Sequence, residues 1–151
     1  IGDNQITRGI AIGDIDHDGK QDFVSSGQWE DSRLHHNKSS NEKPFIGMAL
    51  KFPVKDTINE ILVDGDRTLP SKFAIGAVAR VHFKNGQSLI RFVDGGNGHS
   101  GRNSPEIHFS FEKNTIEDID HIELEWRKSN GTISRTVTRL TPGWHTIYLP
   151  Y

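Results

Sequence analysis

The chain contains no cysteine and a single methionine among 151 residues. The missing cysteine removes disulfides, thiolate metal centres and a cysteine nucleophile together, and leaves the redox compartment open. Hydrophobic residues are scarce, at 33%. No apolar run approaches the length of a bilayer span, so membrane insertion is not expected. A basic excess is also lacking: 18 Lys and Arg stand against 20 Asp and Glu, a formal net charge of −2. Nucleic-acid binding driven by bulk charge is therefore not expected either. Helical signals are thin, since no stretch of useful length carries a 3.6-residue apolar stripe. A start at Ile1, without Met or a signal-like segment, is what a piece of a longer chain would show.

What is present is β structure. Short strands are expected at 9–14, 22–26, 45–52, 76–83, 87–94, 107–111, 121–127, 132–140 and 145–149. Ile122, Leu124 and Trp126 alternate with Glu123 and Glu125, the pattern of a strand with one wet face. Asn85-Gly86 and Asn130-Gly131 read as two-residue hairpin turns, which need positive φ angles. Residues 115–120 read as a turn or a short helical piece. The polar stretch 38–44 ends in Pro44 and reads as a linker. It divides a front unit, 1–43, from a second unit, 44–151, whose strands and turns are spaced as in a sandwich. The front unit is too small to bury its own core and is expected to pack on something else.

The clearest chemistry lies at 14–22, Asp-Ile-Asp-His-Asp-Gly-Lys-Gln-Asp. Calcium takes several hard oxygen ligands, and carboxylates at alternate positions of a tight loop point to one centre. Gly19 permits the sharp turn. The expected ligands are the side chains of Asp14, Asp16, Asp18 and Asp22 and the backbone carbonyl of Lys20. Without a cation these acids would repel one another. The loop is not an EF-hand, because Ser25 stands at the twelfth position and strands flank it.

The stretch Gly9-Ile-Ala-Ile-Gly-Asp-Ile-Asp-His-Asp-Gly-Lys-Gln-Asp-Phe-Val resembles the FG-GAP/VCBS repeat, and Arg33-Leu-His-His-Asn resembles its closing strand. A single repeat does not close a propeller. Ala74-Ile-Gly-Ala-Val-Ala-Arg-Val is similar to the I-G-A-x-V-x-V of the ASPIC/UnbV domain, which follows FG-GAP repeats in cartilage acidic protein-like chains, and Phe45 to Phe52 fits the strand that opens that domain. Asp94 to Phe109 fits the glycine-rich loop and H-F strand of that domain. Residues 119–126 with Asn130-Gly131-Thr132 fit its L-x-V-x-W-x-x-G stretch. Residues 53–73 are longer than the domain pattern, and Ser110-Phe111 replaces its usual Gly-Leu. The resemblance implies a secreted or cell-surface protein with calcium-dependent adhesive or binding roles and no defined reaction.

Gly96 to Gly101 satisfies G-x-G-x-x-G, but a strand follows it rather than the helix that a dinucleotide loop requires. As an exposed loop it offers Asn97, His99, Arg102 and Asn103 as groups able to grip sugar hydroxyls. The plainer reading is a structural loop whose glycines serve the backbone. Trp29 and Trp144 sit at turns, where each could give a sugar ring a flat platform, cap the core or fill the joint between the units. His17 falls between loop ligands and is expected to face solvent. The adjacent His35 and His36 are expected on opposite faces of a strand, and no H-E-x-x-H or H-x-H spacing supports a histidine metal site. Asn37 and Asn130 fit the N-glycosylation pattern.

The reading that results is an all-β protein: a calcium-clipped FG-GAP-type β-hairpin unit followed by an ASPIC/UnbV-like β-sandwich. The expected function is non-enzymatic extracellular binding or adhesion to a glycan or a surface protein, with Ca2+ in a structural role. The alternatives are a carbohydrate-binding accessory module of a larger secreted enzyme, or a hydrolase or lyase using His99 or His145.

Overall fold

The computed structural model describes residues 6–40, 42–55, 58–65, 68–96 and 101–151. These form twelve strands and one turn of 3₁₀ helix, Ile116–Asp118. The front sheet holds β1 (Thr7–Gly13), β2 (Asp22–Gly27) and β3 (Arg33–His35), antiparallel and in that order. The rest forms two sheets. One runs β11 (Ile133–Thr138), β10 (Ile119–Arg127), β7 (Val78–Phe83), β8 (Ser88–Phe92). The other runs β5 (Leu62–Val63), β12 (Gly143–Tyr148), β4 (Phe45–Pro53), β6 (Ser71–Phe73). There β9 (Ile107–Ser110) pairs with the first half of β4 and β6 with the second half. Each strand expected from the sequence has its counterpart here.

Alternation builds the core. Ile122, Leu124 and Trp126 of β10 turn inward with Ala79 and Val81 of β7. They meet Ile46, Met48 and Leu50 of β4, Ile107 and Phe109 of β9, and Ile147 of β12. The two sheets therefore share one sandwich core. The Trp126 indole N–H donates to the Pro150 carbonyl oxygen at 2.8 Å, which satisfies its one buried polar atom. On the wet face, Glu123 pairs with Arg80 and Glu125 with Arg135. Strand β4 is buried almost along its whole length. Its odd positions are covered too, so something lies on the outer face of its sheet. At the Phe45–Gly47 end that cover is Trp144 and the 14–22 loop of the front unit.

One sequence expectation needs correction. The Asn-Gly turns are not two-residue turns. Phe83 and Lys128 accept from the N–H groups of Gly86 and Gly131, and pair in turn with Gln87 and Thr132. Gly86 and Gly131 have φ of 85°, while neither Asn has a positive φ. These are three-residue loops closed by a glycine in the left-handed region. The Asn side chains explain the choice, because their Oδ1 atoms accept from the N–H groups of Gln87 and Thr132. The glycine-rich loop, over its described end, has the structural part of its plainer reading. Its described end lies along the outer edge of β1: Ser104 N–H donates to the Ile12 carbonyl, and Ile12 N–H donates to Asn103 Oδ1, both at 2.9 Å. A Cβ on Gly101 would stand 2.1 Å from the Ile10 carbonyl oxygen, so only glycine fits there.

Candidate functional site

The 14–22 loop joins β1 to β2 and folds around its own acids. Asp14 and Asp22 are 4% and 1% exposed. Burying a carboxylate is costly unless it is hydrogen-bonded, and both are. Asp14 accepts from Asp18 N–H and Gly19 N–H. Asp22 accepts from Ile15 N–H and, through Oδ1, from Asn37 N–H beyond β3. Gly19 has φ of 86°. The carboxylates of Asp14, Asp16 and Asp18 place one oxygen each within 4.8 Å of the others. The oxygen donors thus fit a hard cation. The Lys20 ammonium reaches Asp18 Oδ2 at 2.8 Å, and this bond holds the Asp18 carboxyl below its ordinary pKa. Lys20 thereby supplies part of the positive charge that the acids require.

The loop rests on an aromatic platform on the outer face of the β4 sheet. Trp144, Gly47 and His108 are register neighbours across β12, β4 and β9. Gly47 keeps the centre flat, since a Cβ there would lie 2.4 Å from the Trp144 ring. Phe45 stacks on His108 with ring centroids 5.3 Å apart. A Cβ on Gly19 would meet the Phe45 ring at 2.3 Å. Trp144 Nε1–H donates to Asp14 Oδ2 at 3.1 Å, across 130 residues of sequence. Burial pushes the His108 imidazole below its ordinary pKa, with the Asp14 carboxylate opposing that shift.

The residues singled out from sequence sort as follows. Asp14, Asp16, Asp18, Lys20 and Asp22 lie together in the loop. Trp144 fills the joint: His17 covers its ring at a centroid distance of 4.6 Å, and the flat backbone of Gly47 lies against it. His17 is exposed, as expected, with 54% of its side chain in solvent, and the face of its ring that is not exposed lies against Trp144. Its φ of 60° turns it toward Trp144. Trp29 is 92% exposed in a bend with φ of 71°. Asn103 spends its Oδ1 on β1, and Arg102 is exposed. Asn97 and His99 lie outside the described residues. His145 is held between Asp64 and the Thr141 carbonyl at 2.7 and 2.8 Å, which occupies both ring nitrogens. Beside the loop a cleft of about 370 Å³ opens between the units, with Arg91, Asp94, Asn103, Glu106 and Trp144 on its walls.

Sequence reasoning gives no site role to Phe45, Gly47 and His108, which form the platform, and weighs His36 only to reject it as a ligand, although its Nε2 lies 2.7 Å from Asp16 Oδ2. One signal was available: a glycine inside an otherwise apolar strand marks a close approach, here at Gly47.

Together these features define an all-β protein in which an acidic loop is seated on a two-sheet core. Residues 67–150, more than half of the chain, match the ASPIC and UnbV family, and the chain belongs to that family. No curated protein matches the chain.

Proposed function

We propose that the protein is a calcium-stabilised, non-enzymatic extracellular binding module, and that its front unit is an FG-GAP-type repeat. The observation that carries the reading is the convergence of the Asp14, Asp16 and Asp18 oxygens in a loop seated on the sandwich. Asp22 and the Lys20 carbonyl complete the proposed shell. Calcium there neutralises the acids and fixes the loop on its platform. The ligand is a glycan or a surface protein, and the cleft beside the loop offers amide, hydroxyl and carboxylate groups to meet it.

Calorimetric titration with calcium tests the metal, with the double substitution Asp16→Ala and Asp18→Ala as the control. Binding heat in the parent chain that is lost in the variant supports the reading, and equal heat in both overturns it. A cation that binds only the folded state adds RT ln(1 + [L]/Kd), about 2.7 kcal/mol at a hundredfold excess over Kd. Chelator should therefore lower the melting temperature. A glycan array run with and without calcium tests the ligand class.

A further inference from the structure

Among the described residues, the front unit holds two triads of side chains able to ligate a metal, and they share Asp16. One is Asp14, Asp16 and Asp18; the other is Asp16, Asp22 and His36. The second is not a cluster of acids alone. Its imidazole comes from the far side of the unit, just past β3, and turns back over the loop. His36 Nε2 lies 2.7 Å from Asp16 Oδ2 and 3.9 Å from Asp22 Oδ1. All three donor atoms lie within 4.8 Å of one another. Donors about 2.1 Å from one ion stand roughly 3–4 Å apart, so these atoms need only small shifts to share a metal. Asp22 is buried and fixed by the N–H groups of Ile15 and Asn37, as outer hydrogen bonds orient a ligating carboxylate. His36 and Asp16 are both partly exposed, which gives an ion a way in.

We infer that Asp16, Asp22 and His36 form a mixed oxygen–nitrogen site for a first-row divalent ion, with manganese the best match. Calcium prefers an all-oxygen shell, whereas imidazole nitrogen suits transition ions and carboxylate oxygen suits manganese. His36 is the residue that widens the loop's choice of metal. The inference shares Asp16 and Asp22 with the calcium reading, but the two fail separately.

The test uses manganese(II) with the full 151-residue chain. Pulsed electron paramagnetic resonance detects a nitrogen-14 nucleus bonded to Mn2+. The parent chain should show that modulation. His36→Gln should lose it, and the ratio of Mn2+ to Ca2+ affinity should fall at least tenfold, while His35→Gln changes neither. Circular dichroism confirms that each variant is folded. No manganese binding, no nitrogen modulation in the parent chain, or modulation that survives His36→Gln overturns the inference. A parent spectrum without the modulation overturns the inference even if a variant fails to fold, and His36→Asn is the second variant should His36→Gln not fold. Calcium heat without nitrogen modulation sinks this inference alone; nitrogen modulation without calcium heat sinks the calcium reading alone.

Discussion

Replacing Trp144 with Phe removes one N–H group and part of one ring from the joint between the units. The lost bond runs from Nε1 to Asp14 Oδ2, at 3.1 Å. A hydrogen bond to a charged group contributes about 1.5–3 kcal/mol. The low end applies here, because Asp14 keeps the N–H groups of Asp18 and Gly19 and is not orphaned. The smaller ring also gives up contact with His17 and Gly47, for which about 1 kcal/mol is reasonable against the 3–5 kcal/mol of a full Trp→Ala truncation. The sum is about 2–3 kcal/mol. For a chain of this size each kcal/mol moves the midpoint by about 2–4 °C, so the melting temperature should fall by roughly 5–10 °C. A double-mutant cycle with Asp14→Ala, which removes the acceptor, isolates the bond and should return a coupling of about 1–2 kcal/mol. A coupling near zero, or a midpoint within 2 °C of the parent (about 0.5–1 kcal/mol), would refute the claim that this contact joins loop to sandwich.

Gly19→Ala should destabilise by about 2 kcal/mol or more in chemical denaturation, because it adds strain at φ of 86° to a clash with Phe45; a change under 0.5 kcal/mol contradicts the seating of the loop. Asn103→Ala should lower the melting temperature and Arg102→Ala should not, since only Asn103 binds the β1 backbone; equal effects would remove the loop's edge role. His108 carries a folded pKa below its unfolded value, so the unfolded chain takes up a proton first as pH falls. Its contribution is complete above about pH 6.5, the ordinary histidine value, and is lost progressively below it. His108→Gln should flatten the stability profile just below that pH, and an unchanged slope there contradicts the assignment.

Strand β10 was legible because one side of its sheet is wet, so polar and apolar residues alternate over 122–126, whereas β4, covered on both faces, reads as a near-continuous apolar run. The acidic loop was legible because its residues are neighbours in sequence. The platform was not, since Phe45, His108 and Trp144 meet only after three strands align. Nor were β5 and β6, two and three residues long, which are too short to show a period. The hairpin turns misled because Asn can satisfy a turn in two ways. The positive φ that Asn-Gly suggests for both residues competes with an Asn side chain capping the backbone two residues on, and here the side chain wins. His36 was set aside on strand parity, yet it lies just past the end of β3, where parity no longer governs its direction.

The bond from Trp144 to Asp14 also sets a timetable for synthesis. The acidic loop leaves the ribosome first, and its indole partner follows 130 residues later. At about 5–20 residues per second that interval is roughly 7–26 s. The parallel partner of β4 arrives equally late, as β12. The 101–104 edge follows β1 by about 91 residues, and through the whole interval the platform lacks Trp144, so Ile10 and Ile12, half-exposed even in the finished fold, have little to shield them. A nascent chain halted before Gly143 should therefore be open to protease throughout its front unit, and should close only when the last strand docks.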